Sequence, residues 1–305
     1  MKKKLQMTLL SALVLAAASW LTACQNGGKN AADAGEADGM EDAAEVEMEG
    51  ADGDETAAPD IVFTRLVSHL YDKNDGRYDI KCMVYYPTGG TNTLLVKEAR
   101  KWIDEMLDCS IESSERYKGD FADGQAMLDY YAEMHKDNVY SEDDYEDTDF
   151  VPGGNYEDSI RVIAESDKYL TLFDDAYFFG AGAMHGVPMC YGVTLLKDNA
   201  QRVTWDMFTS SISRFQPIIK NGLRTYFQLG KNASLDEYII LVDDINAIPL
   251  PACPPILTAE GVKFIYQPYE IASYASGIPA FTVPYETLKP LMKQELQKRL
   301  GLSEE

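Results

Sequence analysis

Between residues 78 and 86, Ile80, Cys82, Val84 and Tyr86 alternate with Asp79, Lys81, Met83 and Tyr85. That period of two predicts a strand with one buried face. A second β-rich run covers 61–71, and Lys73-Asn74-Asp75-Gly76-Arg77 between them is a hairpin signal, with Gly76 for the positive φ. The period then changes. Over 92–109, Leu95, Ala99, Trp102, Ile103 and Met106 share one helical face and the charged residues lie mostly off it. This predicts an amphipathic helix capped by Asn92 or Thr93, with Trp102 in the core. A second helix is predicted over 122–136, with Met127, Tyr130, Tyr131 and Met134 inward. His135 falls near its C-terminal end, where a cation suits the helix dipole.

Strand patterns return over 156–165, 169–179 and 189–196, followed by a helix over 213–229 that tolerates Pro217 in its first turn. Thr204 reads as an N-cap ahead of Trp205-Asp206-Met207-Phe208. The run 235–242 fits a short helix or a strand equally well. A hairpin is predicted over 256–258 and 262–267 around Ala259-Glu260-Gly261, then a loop over 268–277, a strand over 280–283 and a closing amphipathic helix over 284–300. The fold class expected is α+β: mixed or antiparallel sheets with packed helices, in two subdomains of one body, 61–155 and 156–305.

The N-terminal region follows another logic. Lys2, Lys3 and Lys4 precede an apolar run from Leu9 to Ala18, and Leu21-Thr22-Ala23-Cys24 follows. This is the order of a secretory signal peptide, 1–23, ending in a bacterial lipobox. The apolar run is shorter than the roughly 20 residues a membrane span needs. Cys24 is expected to become the acylated N-terminus of a lipoprotein, held by several acyl chains. With Gln25 and no aspartate after it, the resemblance to other lipoproteins implies the outer membrane as destination. Residues 24–60 are rich in Gly, Ala, Asp and Glu, with Lys29 the one base. Such a segment cannot bury enough apolar surface to fold and reads as a lipidated acidic tether. The formal net charge of −23 argues against nucleic acid as a partner. Cys82, Cys109, Cys190 and Cys253 remain after lipidation; in an oxidising compartment they permit two disulfides or stay buried thiols. Their spacing fits no metal site, and no cofactor is expected.

Two places carry candidate chemistry. The first is the turn Tyr177-Phe178-Phe179-Gly180-Ala181-Gly182-Ala183-Met184-His185-Gly186-Val187-Pro188. Gly180, Gly182 and Gly186 allow a tight reversal. His185 has no histidine or carboxylate at motif spacing, which favours a structural bond to a backbone carbonyl over catalysis. The second is Tyr269, Glu270 and Tyr274, paired aromatics with a carboxylate that suit glycan or protein contact. No nucleophile elbow or phosphate loop is present.

The order of these motifs is similar to one family. An aromatic strand, a glycine-rich turn with histidine, Thr204-Trp205-Asp206-Met207-Phe208, and Gly261-Val262-Lys263-Phe264-Ile265-Tyr266-Gln267-Pro268-Tyr269-Glu270-Ile271-Ala272-Ser273-Tyr274-Ala275-Ser276-Gly277 resemble the extracellular domain of RsiV-type anti-sigma factors. The same module precedes the catalytic domain of PdaC-type peptidoglycan deacetylases. The likeness runs over about 78–300. The family's turn is Gly-Gly-Ala-His, and here Met184 stands before His185. The resemblance implies a mixed α/β envelope domain that binds rather than catalyses, and in the anti-sigma factor the ligand is lysozyme. The expectation is a lipid-anchored extracytoplasmic binding module for a lysozyme-like basic protein or a cell-wall glycan. The alternative is a hydrolase or deacetylase acting on peptidoglycan.

Overall fold

The computed structural model describes residues 58–108, 116–140 and 153–303. The segment predicted to be a signal peptide, 1–23, Cys24, the predicted tether up to residue 57, Cys109 and the acidic stretch 141–149 lie outside the described residues. Among the described residues, no helix is long and apolar enough to cross a membrane.

The alternating run expected from the sequence forms strand β2 (Tyr78–Gly89), paired antiparallel with β1 (Val62–Tyr71). The turn between them is held by Asp72, whose carboxylate accepts the backbone N–H of Asn74 at 3.0 Å and of Arg77 at 3.3 Å. Helix α1 (Thr93–Leu107) starts at Asn92, whose side chain accepts the N–H of Leu95 at 3.1 Å. Helix α2 (Gly124–Val139) is capped in the same way by Asp123. Both caps satisfy an N–H that the first turn leaves without a partner.

The two helices form the crossover to β3 (Gly154–Glu165), which runs parallel to β2. Strands β4 (Tyr169–Phe179) and β5 (Val187–Leu196) follow as antiparallel neighbours. The result is one five-stranded mixed sheet in the order β1-β2-β3-β4-β5. The boundary drawn at 155–156 therefore runs through the β2–β3 pairing, and residues from both sides build one core. Ile80, Val84, Leu95, Trp102, Ile103, Met127, Tyr131, Ile160 and Leu172 are buried there. Trp102 lies inside this core, as its place on the apolar stripe required.

Helix α3 (Gln216–Tyr226) and a three-stranded antiparallel sheet, β6 (Ile256–Leu257), β7 (Val262–Ile265) and β8 (Ala280–Val283), build the second half. Its core is aromatic: Trp205 lies 4.8 Å from Phe264, and Phe208 and Phe215 flank it. Thr171 and Thr194 join the two sheets. Their hydroxyls bond each other at 3.0 Å; the Thr171 hydroxyl donates to the Leu257 carbonyl at 2.7 Å, and the Leu257 N–H donates to the Thr194 hydroxyl at 2.9 Å.

Several local expectations are corrected. Thr204 makes no side-chain cap, and Trp205–Met207 is a single 3₁₀ turn. Residues 235–242 form turns, neither a helix nor a strand. The closing helix is broken into α4 (Tyr285–Leu288), a 3₁₀ turn over Lys289–Leu291, and α5 (Gln294–Arg299). Pro290 has no N–H for a continuous helix. Met292 is extended and bridges Phe208, while Lys293 N–H bonds the Met207 carbonyl. The chain there serves the second core instead of an i→i−4 ladder.

His135 is the largest correction. It is fully buried, its ring stacks on Tyr156 at 3.8 Å, and its Nε2 lies 2.9 Å from the Leu107 carbonyl oxygen. Burial pushes its pKa down to about 4, so it is neutral rather than a cation at a helix end. Next to Tyr156 lies a buried carboxyl pair, Asp158 and Asp174. Tyr156 donates its hydroxyl to Asp158 Oδ2 at 2.9 Å, and the two carboxyls bond each other. One oxygen of each has no hydrogen-bond partner. Burial raises both pKa values, Asp158 to about 6, and the charge of Asp158 lifts Asp174 further.

Candidate functional site

Strand β4 ends in three aromatics that alternate across the sheet: Phe178 packs on the core, whereas Tyr177 points away from it and is partly exposed. The turn that follows closes through an Ala183 N–H to Gly180 O bond of 3.0 Å. Its glycines are not equivalent. Gly182 takes φ +73°, which disfavours a side chain. At Gly186 a Cβ would lie 2.1 Å from the outer end of the Tyr177 ring, which would have to shift. Gly180 has neither constraint.

The loop 268–277 comes up beside this turn. Tyr274 donates its hydroxyl to the Gly186 carbonyl at 2.7 Å, and His185 Nδ1 donates to the same oxygen at 3.1 Å. The two rings stack with centroids 4.2 Å apart. Tyr269, held at φ +66°, lies 5.9 Å from Tyr274 and is 50% exposed. Met184 is 89% exposed at the apex. Three of the four candidate residues, His185, Tyr269 and Tyr274, thus meet on one surface, with Tyr177 and Met184 completing it. His185 makes the backbone bond expected of a structural histidine and still presents its ring.

The fourth, Glu270, faces the other way. Its Oε1 accepts the Ala252 N–H at 2.7 Å and its Oε2 the Gln267 N–H at 2.8 Å. This carboxylate is committed to backbone N–H groups at the start of the loop and in the proline-rich connection before β6, which sequence spacing next to two tyrosines did not reveal. Gln267 in turn bonds both the N–H and the carbonyl of Cys190 on the edge strand β5. Tyr226 holds the far side of the loop through the Ser276 carbonyl at 2.8 Å. A rigid frame therefore supports an exposed aromatic tip. Tyr177 was legible from strand alternation, since its neighbour Phe178 points inward. The contribution of Met184 could be seen only once the turn was folded.

The cysteines carry no comparable chemistry. Cys190 and Cys253 are free thiols in one small cluster, and burial pushes each up to about 12. Neither is a thiolate at neutral pH. Cys82 is buried in the core beneath the helices. Among the described residues, no three histidine, cysteine or acidic side chains are grouped to hold a metal ion.

Comparison with known proteins bears on the fold and on part of this tip. Residues 205–286, which include Tyr269, Glu270 and Tyr274, match the model of a family described as a protein of unknown function, DUF3298. No curated protein matches the chain. A crystal structure of a DUF3298 family member from Bacteroides fragilis NCTC 9343 superposes with a TM-score of 0.60 at 15% identity, covering 81% of this chain and 98% of that one. A DUF3298 family protein from Pseudomonas aeruginosa PAO1 gives 0.53 at 16% identity, covering 77% and 96%. The chain thus shares the fold of two DUF3298 family proteins over most of its length, and its segment 205–286 matches that family's model.

Proposed function

We propose that this protein is a lipid-anchored, extracytoplasmic binding module whose contact surface is the aromatic tip, and whose ligand is a basic protein of the lysozyme kind. The observation that carries the reading is the tip itself. The rings of Tyr177, His185, Tyr269 and Tyr274 and the thioether of Met184 are partly or fully exposed together, on a turn held by the Tyr274 hydroxyl and a loop that Gln267 fastens to β5. Large, rigid side chains with few rotatable bonds lose little entropy on binding and dominate protein contacts. The net charge of −23 would speed capture of a basic partner. The likeness of the motif order to RsiV-type domains agrees with this ligand class. A cell-wall glycan is the second reading, favoured by the adjacent Tyr269 and Tyr274 rings, inclined to each other by 30°, which offer a shelf for stacked sugar faces.

Purified full-length protein offered lysozymes and isolated sacculi should retain the lysozyme, and raised salt should weaken that retention. Retention by sacculi alone would instead favour the glycan. The anchor has its own test. Cys24→Ala should release the protein from membranes or leave an uncleaved precursor, and mass spectrometry of wild type should find a lipidated Cys24 at the N-terminus. An unmodified Cys24 inside an intact signal would contradict the anchor.

A further inference from the structure

A second surface, distinct from the aromatic tip, lies where the small sheet leaves the outer face of the large one. Arg161 and Ile163 of β3 and Phe173 of β4 form one wall; Thr258, Glu260, Lys263 and Thr282 of the β6–β8 sheet form the other. They enclose a cleft of about 290 Å³. Its charge is unusual for this chain, which has 27 basic residues against 50 acidic ones. Two cations converge on a single ring: the Arg161 guanidinium lies 5.3 Å and the Lys263 ammonium 4.9 Å from the Phe173 centroid.

Holding two like charges over one ring costs repulsion, which the ring's quadrupole offsets only in part. Arg161 meets Asp175 at 3.7 Å, and Lys263 makes no ion pair among the described residues. Glu260 is the one acid in the wall, and its Oε2 accepts the Thr258 hydroxyl at 3.0 Å. Asp175 thus offsets Arg161, and the cation left without an ion pair among the described residues is Lys263.

We propose that this cleft binds a monoanionic, carboxylate-bearing ligand. The planar guanidinium of Arg161 matches a carboxylate in a two-pronged bond, and Lys263 supplies a point charge from the opposite wall. Ile163, half-buried beside them, receives the apolar group next to the carboxyl. Glu260 repels a second negative charge, which sets carboxylate above phosphate. A peptide C-terminus and an acidic sugar share this chemistry. The inference does not rest on the role of the aromatic tip.

The test is a chemical-shift titration of the purified full-length protein at neutral pH with N-acetylalanine, its neutral amide and inorganic phosphate. N-acetylalanine should saturate the cleft, with the amide and phosphate each roughly tenfold weaker or more. Glucuronic acid in a parallel titration separates the sources: binding tighter than N-acetylalanine assigns an acidic sugar, and weaker binding a peptide terminus. Lys263→Gln and Arg161→Gln should each weaken N-acetylalanine binding roughly tenfold at an unchanged melting temperature, and Glu260→Gln should narrow the gap to phosphate. Equal binding of the neutral amide, tighter binding of phosphate by wild type, or undiminished binding by Lys263→Gln would overturn the proposal.

Discussion

Asp174→Asn is expected to raise the melting temperature at neutral pH, although it replaces a carboxyl in an ordered site. Burial raises the pKa of Asp174 well above its ordinary 3.8, and that of its partner Asp158 to about 6. The folded pair therefore holds protons that the unfolded chain has already released, and folding becomes less favourable as pH rises through that window. Above it, ionising the buried pair counts against the folded state. An asparagine amide can donate to Asp158, so the bond survives without the second charge. His135 works in the opposite direction. Its folded pKa is lowered from 6.5 to about 4, so the unfolded chain takes up its proton first, and this stability is lost as pH falls through the same range. In wild type the two effects therefore oppose each other between about pH 4 and 6. Asp174→Asn should be more stable at pH 7 and lose stability more steeply in acid. Thermal melts across pH check both. An unchanged melting temperature at pH 7 with a parallel acid limb would mean that the pair carries no such cost.

Gly261→Ala should have the largest destabilising effect of any small substitution near the cleft. Gly261 sits at φ +148°, and a Cβ there would lie 2.2 Å from the Val283 carbonyl oxygen. Both obstacles belong to the backbone, so no side chain can swing aside. The β7–β8 pairing must open, with Val262 facing Val283 across it. The loss should be about 3 kcal/mol in denaturant unfolding. Gly180→Ala is the matched control. Its Cβ would meet only the Phe178 ring at 3.5 Å, an ordinary contact, so a change within about 0.5 kcal/mol is expected. Equal losses in the two variants would contradict this distinction.

These two glycines illustrate what the sequence could and could not convey. Glycine spacing marked the turn at 180–186 and the hairpin around Gly261, because a reversal between strands needs a residue free of Cβ. It did not say which glycine bears a constraint, since that depends on where Tyr177 and Val283 end up. Periodicity located β2, α1 and α2 because each buries one face against a large neighbour. It failed over 235–242 and 284–300, where apolar residues serve the second core from turns and short helices. His135 was misread because its burial depends on Tyr156 and Leu107, both remote in sequence. The aromatic tip was half legible. His185, Tyr269 and Tyr274 were named individually, but their stacking, and the inward turn of Glu270, depend on the loop 268–277 docking against β5. Arg161 and Lys263 gave no sequence signal, because they stand on strands of different sheets.

The measurement that bears most directly on the tip as a binding surface is lysozyme capture by Tyr269→Ala beside a thermal melt. Tyr269 is half exposed and contributes nothing to either main core. Its replacement should leave the melting temperature where it was and weaken capture roughly tenfold or more. Full capture by Tyr269→Ala and by a Tyr269→Ala, His185→Ala double variant, each at unchanged stability, would contradict the account.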